Sequence, residues 1–205
     1  MKYGGWLLLL LLGPIFFSNF FVGSKNQFLS LVSESLVAGD YDAAFVDLGN
    51  RRFLRAKIYS TYPFNHRNLI GINAGAREGV KEGMAVTVNG KILLGKITEV
   101  SPHFSLAVTL YDSSWSSPVR IGDKEIDALL VGGQEPVLTT IDKSETVKIG
   151  DSIYSASRDF PYGFKIGFIK NFSNLPTKTF QESGISFDYN FGSLREVLIF
   201  MGYAQ

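Results

Sequence analysis

Between Leu69 and Val100 the chain reads LIGINAGAREGVKEGMAVTVNGKILLGKITEV. Glycine recurs every fourth residue, at Gly71, Gly75, Gly79 and Gly83, and the later intervals carry Arg77, Glu78, Lys81 and Glu82. Glycine repeated in a polar setting marks backbone at positive φ or in close approach, so the spacing predicts consecutive tight turns. From Met84 an alternating run leads into Asn89-Gly90 and leaves again as Lys91–Val100. Asn-Gly between two runs of apolar and β-branched residues is a strong short-range hairpin signal, because both central residues must take φ > 0. The stretch therefore predicts turn, strand, hairpin and strand, which an amphipathic helix cannot supply.

A second, fainter copy follows. Val80-Lys81-Glu82-Gly83-Met84-Ala85-Val86 is echoed by Val147-Lys148-Ile149-Gly150-Asp151-Ser152-Ile153, and Gly95-Lys96-Ile97 by Gly167-Phe168-Ile169. The second copy carries more residues between its matched segments, so its strands are joined by a longer loop. Repetition of a supersecondary unit predicts two small β-barrels of similar construction, with Gly150 and Gly167 as further structural turn residues.

The rest of the chain punctuates in the same way. Strands are expected at 55–62, 68–73, 85–88, 92–100, 106–111, 118–121, 127–131, 137–141, 152–155, 165–171, 184–188 and 196–201, each bounded by Gly, Pro, Asn or Asp. Twenty-one glycines in 205 residues exceed the usual ~7% and suit such a turn-rich protein. The expected fold class is all-β. A net charge of +1 offers no basic face for nucleic acid, and the absence of cysteine excludes disulfides and thiolate metal sites.

The N-terminal part is different. Tyr3–Val22 carries no charge and includes Leu7–Leu12. At 1.5 Å per residue it matches the ~30 Å hydrocarbon core of a bilayer. The alternative is a cleaved signal peptide ending near Val22-Gly23-Ser24, but the apolar run is long and the site lacks A-x-A character, which favours an uncleaved anchor. Lys2 and the amino terminus on one side, against Lys25 on the other, give a slight bias that favours an N-terminus in the cytoplasm and C-terminal domains outside it. Phe28, Leu31, Val32 and Leu36 recur at helical spacing, Gly39-Asp40 interrupts, and Ala43–Leu48 is expected to resume for two turns, which makes residues 24–50 a short helical linker. Arg51, Arg52, Arg55 and Lys57 form a dense basic cluster. As a charge run it is expected to be a solvated face in preference to a lipid-headgroup site.

Catalytic and cofactor signatures are missing. His66 and His103 are the only histidines, and neither H-E-x-x-H, a phosphate-cradling glycine loop nor an EF-hand occurs. Gly150-Asp151-Ser152 resembles the nucleophile motif of chymotrypsin-like proteases, with a histidine and Asp112 earlier in the chain. Ile153 after the serine argues against an oxyanion turn, and the internal copy accounts for the motif without catalysis. A non-enzyme without cofactor or metal is expected.

Taken in order, the segments match a family. Pro63-Phe64-Asn65 before Leu69–Gly75, Gly79–Val86, Leu94–Val100, Asp112 through Pro118-Val119-Arg120, Ala128–Gly132, Val147–Ile153, Phe160-Pro161 through Gly163 to Ile166-Gly167, and Leu194–Leu198 together resemble the rod shape-determining MreC family. The resemblance implies a single-pass inner-membrane protein whose exported part holds two β-barrels. It further implies a non-enzymatic scaffold of the cell-elongation machinery that organises peptidoglycan synthesis. The implied partners are MreD, the MreB complex, RodA and the elongation-specific penicillin-binding transpeptidase, together with self-association. An adaptor of another export complex and a membrane-anchored chymotrypsin-like protease are the alternatives. The expected partition is 1–23 stub and anchor, 24–50 linker, 51–83 plus 134–205 as one barrel, and 84–133 as a second, inserted barrel. Phe160-Pro161-Tyr162-Gly163-Phe164 fills the longer loop of the second copy. Its rings either close a barrel end or, as Phe160, Tyr162 and Phe164, bind a partner.

Overall fold

The computed structural model describes residues 43–59, 68–173 and 179–204. The expected membrane span, His66 and residues 24–42 of the expected helical linker lie outside these residues. The described strands are β1 (Ala44–Leu48), β2 (Arg51–Tyr59), β3 (Leu69–Ile72), β4 (Ala85–Val88), β5 (Ile92–Val100), β6 (Ser105–Thr109), β7 (Ser116–Ile121), β8 (Ile126–Val131), β9 (Val137–Ile141), β10 (Ser152–Ser155), β11 (Lys165–Ser173), β12 (Gln181–Ser186) and β13 (Glu196–Tyr203). Helix among the described residues is confined to 3-10 turns at Ala76–Glu78 and Phe191–Ser193. The protein is all-β.

Six strands close on themselves. β2 pairs with β3, β3 with β6, β6 with β5, β5 with β4, β4 with β13, and β13 returns to β2. This closed barrel removes its own edges. Leu54, Ala56, Ile70, Ile72, Val86, Val88, Leu94, Ile97, Ala107, Val197 and Ile199 fill it. The remaining ladders run β7–β8–β9–β12–β11–β10 and back to β7. A single parallel contact, Lys165 opposite Ile92, joins the two sets.

Strands shared between two cores explain the sequence of the first barrel. Side chains alternate across a strand. On β2, Leu54 points into the barrel while Phe53 joins the core formed with β7–β12; both are fully buried. Ala85, Leu93 and Leu198 face that second core in the same way, each beside a residue that faces the first. β4 is therefore buried throughout, and its one polar residue, Thr87, donates its hydroxyl to the Leu198 carbonyl at 2.8 Å. A barrel of this size is marginal alone, and the outer apolar row is how it leans on its neighbour.

Two expectations are corrected. The strands do not divide at Met84 and Gly133, because β4, β5 and β6 close the barrel with β2, β3 and β13. The inserted set, β7–β12, spans 116–186 instead of 84–133. Glycines mark turns, and turn chemistry carries no information about which distant strand is the partner. Ala43–Leu48 does not resume a helix either. Ala44–Leu48 is β1, turned back onto β2 through Gly49 at φ +64°, with Leu48 opposite Arg51. Five residues are too few to nucleate a helix, whereas they suffice for a ladder along an existing strand.

Candidate interaction surface

The glycines resolve into turns, close approaches and strand positions. Gly79, Gly83 and Gly150 hold φ +83°, +82° and +90°, and Asn89-Gly90 sit at +55° and +68°, as the hairpin requires. Gly75 has an extended φ of −144° and is needed for space, since a Cβ there would lie 2.1 Å from the Ser101 carbonyl oxygen. Gly71 and Gly167 are not turn residues: they lie inside β3 and β11. A Cβ on Gly167 would meet the Ser186 carbonyl oxygen of β12 at 2.4 Å, so glycine admits the neighbouring strand.

The internal copies share a hydrogen-bond pattern. Gly83 N–H donates to the Ile97 carbonyl and Ile97 N–H to the Met84 carbonyl, both at 2.9 Å. Gly150 donates to Ile169 and Ile169 to Asp151, again at 2.9 Å. Register shifts follow Ile97 in β5 and Ile169 in β11. Ser152 thus enters a strand in the place of Ala85, and its carbonyl accepts from Gly122 N–H at 2.8 Å. Asp112 has other hydrogen-bond partners. Its carboxylate accepts from the N–H and hydroxyl of Ser114 and from the Asn68 amide at 3.1 Å. The Ser114 bonds hold its carboxyl below the usual aspartate range. Among the described residues no group of three or more His, Cys, Asp or Glu is placed to hold a metal ion.

The Phe160–Phe164 loop separates its three rings. Phe160 is buried and stacks on Trp115, ring centroids 6.1 Å apart. Phe164 is fully buried, meets Phe200 edge-on at 5.9 Å, and lies 4.7 Å under the Arg51 guanidinium. These two rings belong to the core, in line with the packing alternative for this loop, and Phe160 and Phe164 are corrected as candidate partner-binding residues. Each flanks the turn at Gly163 (φ +84°), and their area is worth more inside the core than in water.

Tyr162 is the ring that stays outside, 56% exposed. Its hydroxyl donates to Glu125 at 2.8 Å, and this bond pushes the phenol pKa above its usual value. A cleft of about 290 Å³ lined by Arg120, Asp123, Glu125 and Tyr154 opens beside it. On the other side of the loop a larger groove, about 730 Å³, runs between Lys81–Ala85, Lys96–Thr98, Pro161 and Phe200–Gly202. Lys96 and Asp159 pair across this groove at 3.4 Å. Sequence reasoning named Tyr162, which is exposed, but missed the groove, whose walls come from segments over a hundred residues apart.

The model of the rod shape-determining protein MreC barrel core matches residues 58–201. The chain belongs to the MreC family. The cell shape-determining protein MreC of Cereibacter sphaeroides is 32% identical over 105 residues, which cover 49% of this chain and 35% of that relative. The match thus spans about a third of that relative's length. An MreC structure from Listeria monocytogenes superposes with a TM-score of 0.66 at 21% identity, covering 95% of this chain and 93% of that one. The MreC–PBP2 complex from Helicobacter pylori contributes a further match, with a TM-score of 0.55, 14% identity, and 72% and 98% coverage. At such identities the structures speak for the fold. The family is one of cell-shape proteins.

Proposed function

We propose that the protein is a non-enzymatic, membrane-anchored scaffold of the cell-elongation machinery, with Tyr3–Val22 as its anchor and the strands outside the cytoplasm. In this reading β7–β12 form a second barrel, and the protein organises peptidoglycan synthesis by binding an elongation-specific penicillin-binding transpeptidase, RodA, MreD and the MreB complex, and by self-association. Family membership carries the proposal. A relative caught in complex with PBP2 supports a transpeptidase as one partner. Ser152 and Asp112, each held in a structural hydrogen-bond pattern, favour binding without turnover.

Tyr162 is the candidate anchor for a partner, because exposed aromatic rings at loop tips dominate interface energetics. Depletion of the protein should round the cells, and re-expression should restore their width. Tyr162→Ala should leave thermal stability within about 0.5 kcal/mol, as for an exposed side chain, yet weaken co-purification with the transpeptidase. Unchanged cell shape on depletion would overturn the scaffold; a large stability loss with undiminished binding would remove Tyr162 from it.

A further inference from the structure

The basic cluster of β2 lies beside an apolar surface that its sequence does not announce. Phe45, Leu48 and Tyr203 are 51%, 40% and 58% exposed. Leu48 on β1 and Tyr203 on β13 both oppose Arg51, one on each side of β2, so the three side chains form a row on one face. Phe45 opposes Leu54 and so belongs to the other face, where the Arg52 guanidinium lies 4.6 Å from its ring. The β1–β2 turn at Gly49-Asn50 therefore carries exposed apolar groups on both faces, with Arg51 and Arg52 immediately after it.

We propose that this turn, with Phe45, Leu48, Arg52 and Tyr203, is a membrane-surface contact that rests against the headgroups of an anionic bilayer. The charge is complementary: Arg52 and Arg55 lie along the exposed part of β2, Arg52 opposite Asp47 and Arg55 4.0 Å from Glu196, and Arg51 beside them turns its guanidinium onto Phe164. Aromatic and leucine side chains combined with arginine suit the bilayer interface, where apolar groups enter the headgroup layer and guanidinium groups stay at the phosphates. Each basic residue near such a surface strengthens attachment roughly fivefold.

The tether supplies the second reason. This contact rests on the proposed anchor at Tyr3–Val22. Residues 23–43 join that stretch to β1 and, even fully extended, reach no farther than about 70 Å. β1 is thus the first element the tether meets, and a short tether gives its surface a high effective concentration at the bilayer. A soluble partner has no such advantage on this face.

The chain's lack of cysteine makes the test clean. Leu48→Cys, Tyr203→Cys and, on the exposed β9–β10 loop, Thr146→Cys are each labelled with an environment-sensitive fluorophore. Each full chain is reconstituted in nanodiscs of phosphatidylcholine with phosphatidylglycerol (3:1) or of phosphatidylcholine alone, with a headgroup-proximal spin-labelled quencher. Labels at 48 and 203 should be quenched at least twofold more than that at 146 in the anionic discs, less so in neutral discs, at high salt or with Arg52→Glu. Equal quenching at all three sites in a chain that co-elutes with the discs overturns the contact alone. Shielding at 48 that needs no lipid and grows with protein concentration assigns the face to a second copy, and also overturns it. Failure to co-elute overturns the anchor and this contact with it.

Discussion

A Cβ added to Gly83 meets nothing within 4 Å, yet the position is closed to most residues because its φ is +82°. Gly83→Val should therefore cost about 1–3 kcal/mol through backbone strain alone, measured by chemical denaturation. Gly83→Asn, whose short side chain tolerates the left-handed region, should recover most of that loss; equal losses for both would point away from strain. Asp112 gives a second residue-level expectation. A carboxyl with a depressed native pKa contributes stability that is present above the unfolded value of about 3.9 and is lost as pH falls through the lower native value. Its NMR titration midpoint should lie below that of a free aspartate, and Ser114→Ala should raise it. Little of this was readable beforehand: spacing nominated Gly83 correctly, but Gly71 and Gly167, nominated by the same ladder and its copy, have apolar neighbours and sit in strands. Only the partner strand decides between a turn and a close approach.

At the scale of elements, strands whose alternation is local were legible to the residue: β4, β5, β9 and β10 have the expected bounds. β1 was not, because an exposed five-residue strand has no buried face to set a period. β12 begins at Gln181, three residues before its expected start. Gln181 and Ser183 are buried polar residues, and the Gln181 amide donates to the carbonyls of Asp142 and Glu145, both at 3.1 Å. A reading that looks for apolar alternation passes over such a start. β2 supplies the sharpest contrast along one strand. Phe53→Ala empties a site packed by Phe200 at 5.6 Å and should cost about 3–5 kcal/mol. Arg55→Ala, two residues on, removes a solvent-screened pair and should cost no more than about 1 kcal/mol. Denaturation midpoints of the two variants check both; a mild Phe53→Ala would mean that the two cores are less continuous than the packing indicates.

For the whole molecule, the all-β class was legible, whereas the partition was not. Pairing Tyr203 with Arg51 or Leu198 with Thr87 is a long-range choice with no local signature. The two sets of strands have the same order around the ring, but their closing strand differs. β7, which precedes β8–β12 in the chain, closes one set, while β13, which follows every other strand, closes the other. Deleting residues 195–205 should therefore expose the amides of residues 51–109 to rapid hydrogen exchange while residues 116–186 retain more of their protection. Uniform loss across both sets would show that neither can hold without the other.

That closing strand also sets a clock. A chain made from its N-terminus usually folds its first domain first, but here β2–β6 leave the ribosome with a gap between β2 and β4 that only β13 fits. Apart from the Lys165–Ile92 contact, β7–β12 find their strand partners within residues 116–186, whereas the β2–β13 ladder must bring together residues separated by most of the chain. The earliest-made barrel is thus the last to finish. Until β13 arrives, the outer row of Phe53, Ala85 and Leu93 can rest on the younger, already completed strands, so the inserted half serves as a template for the half that was synthesised before it.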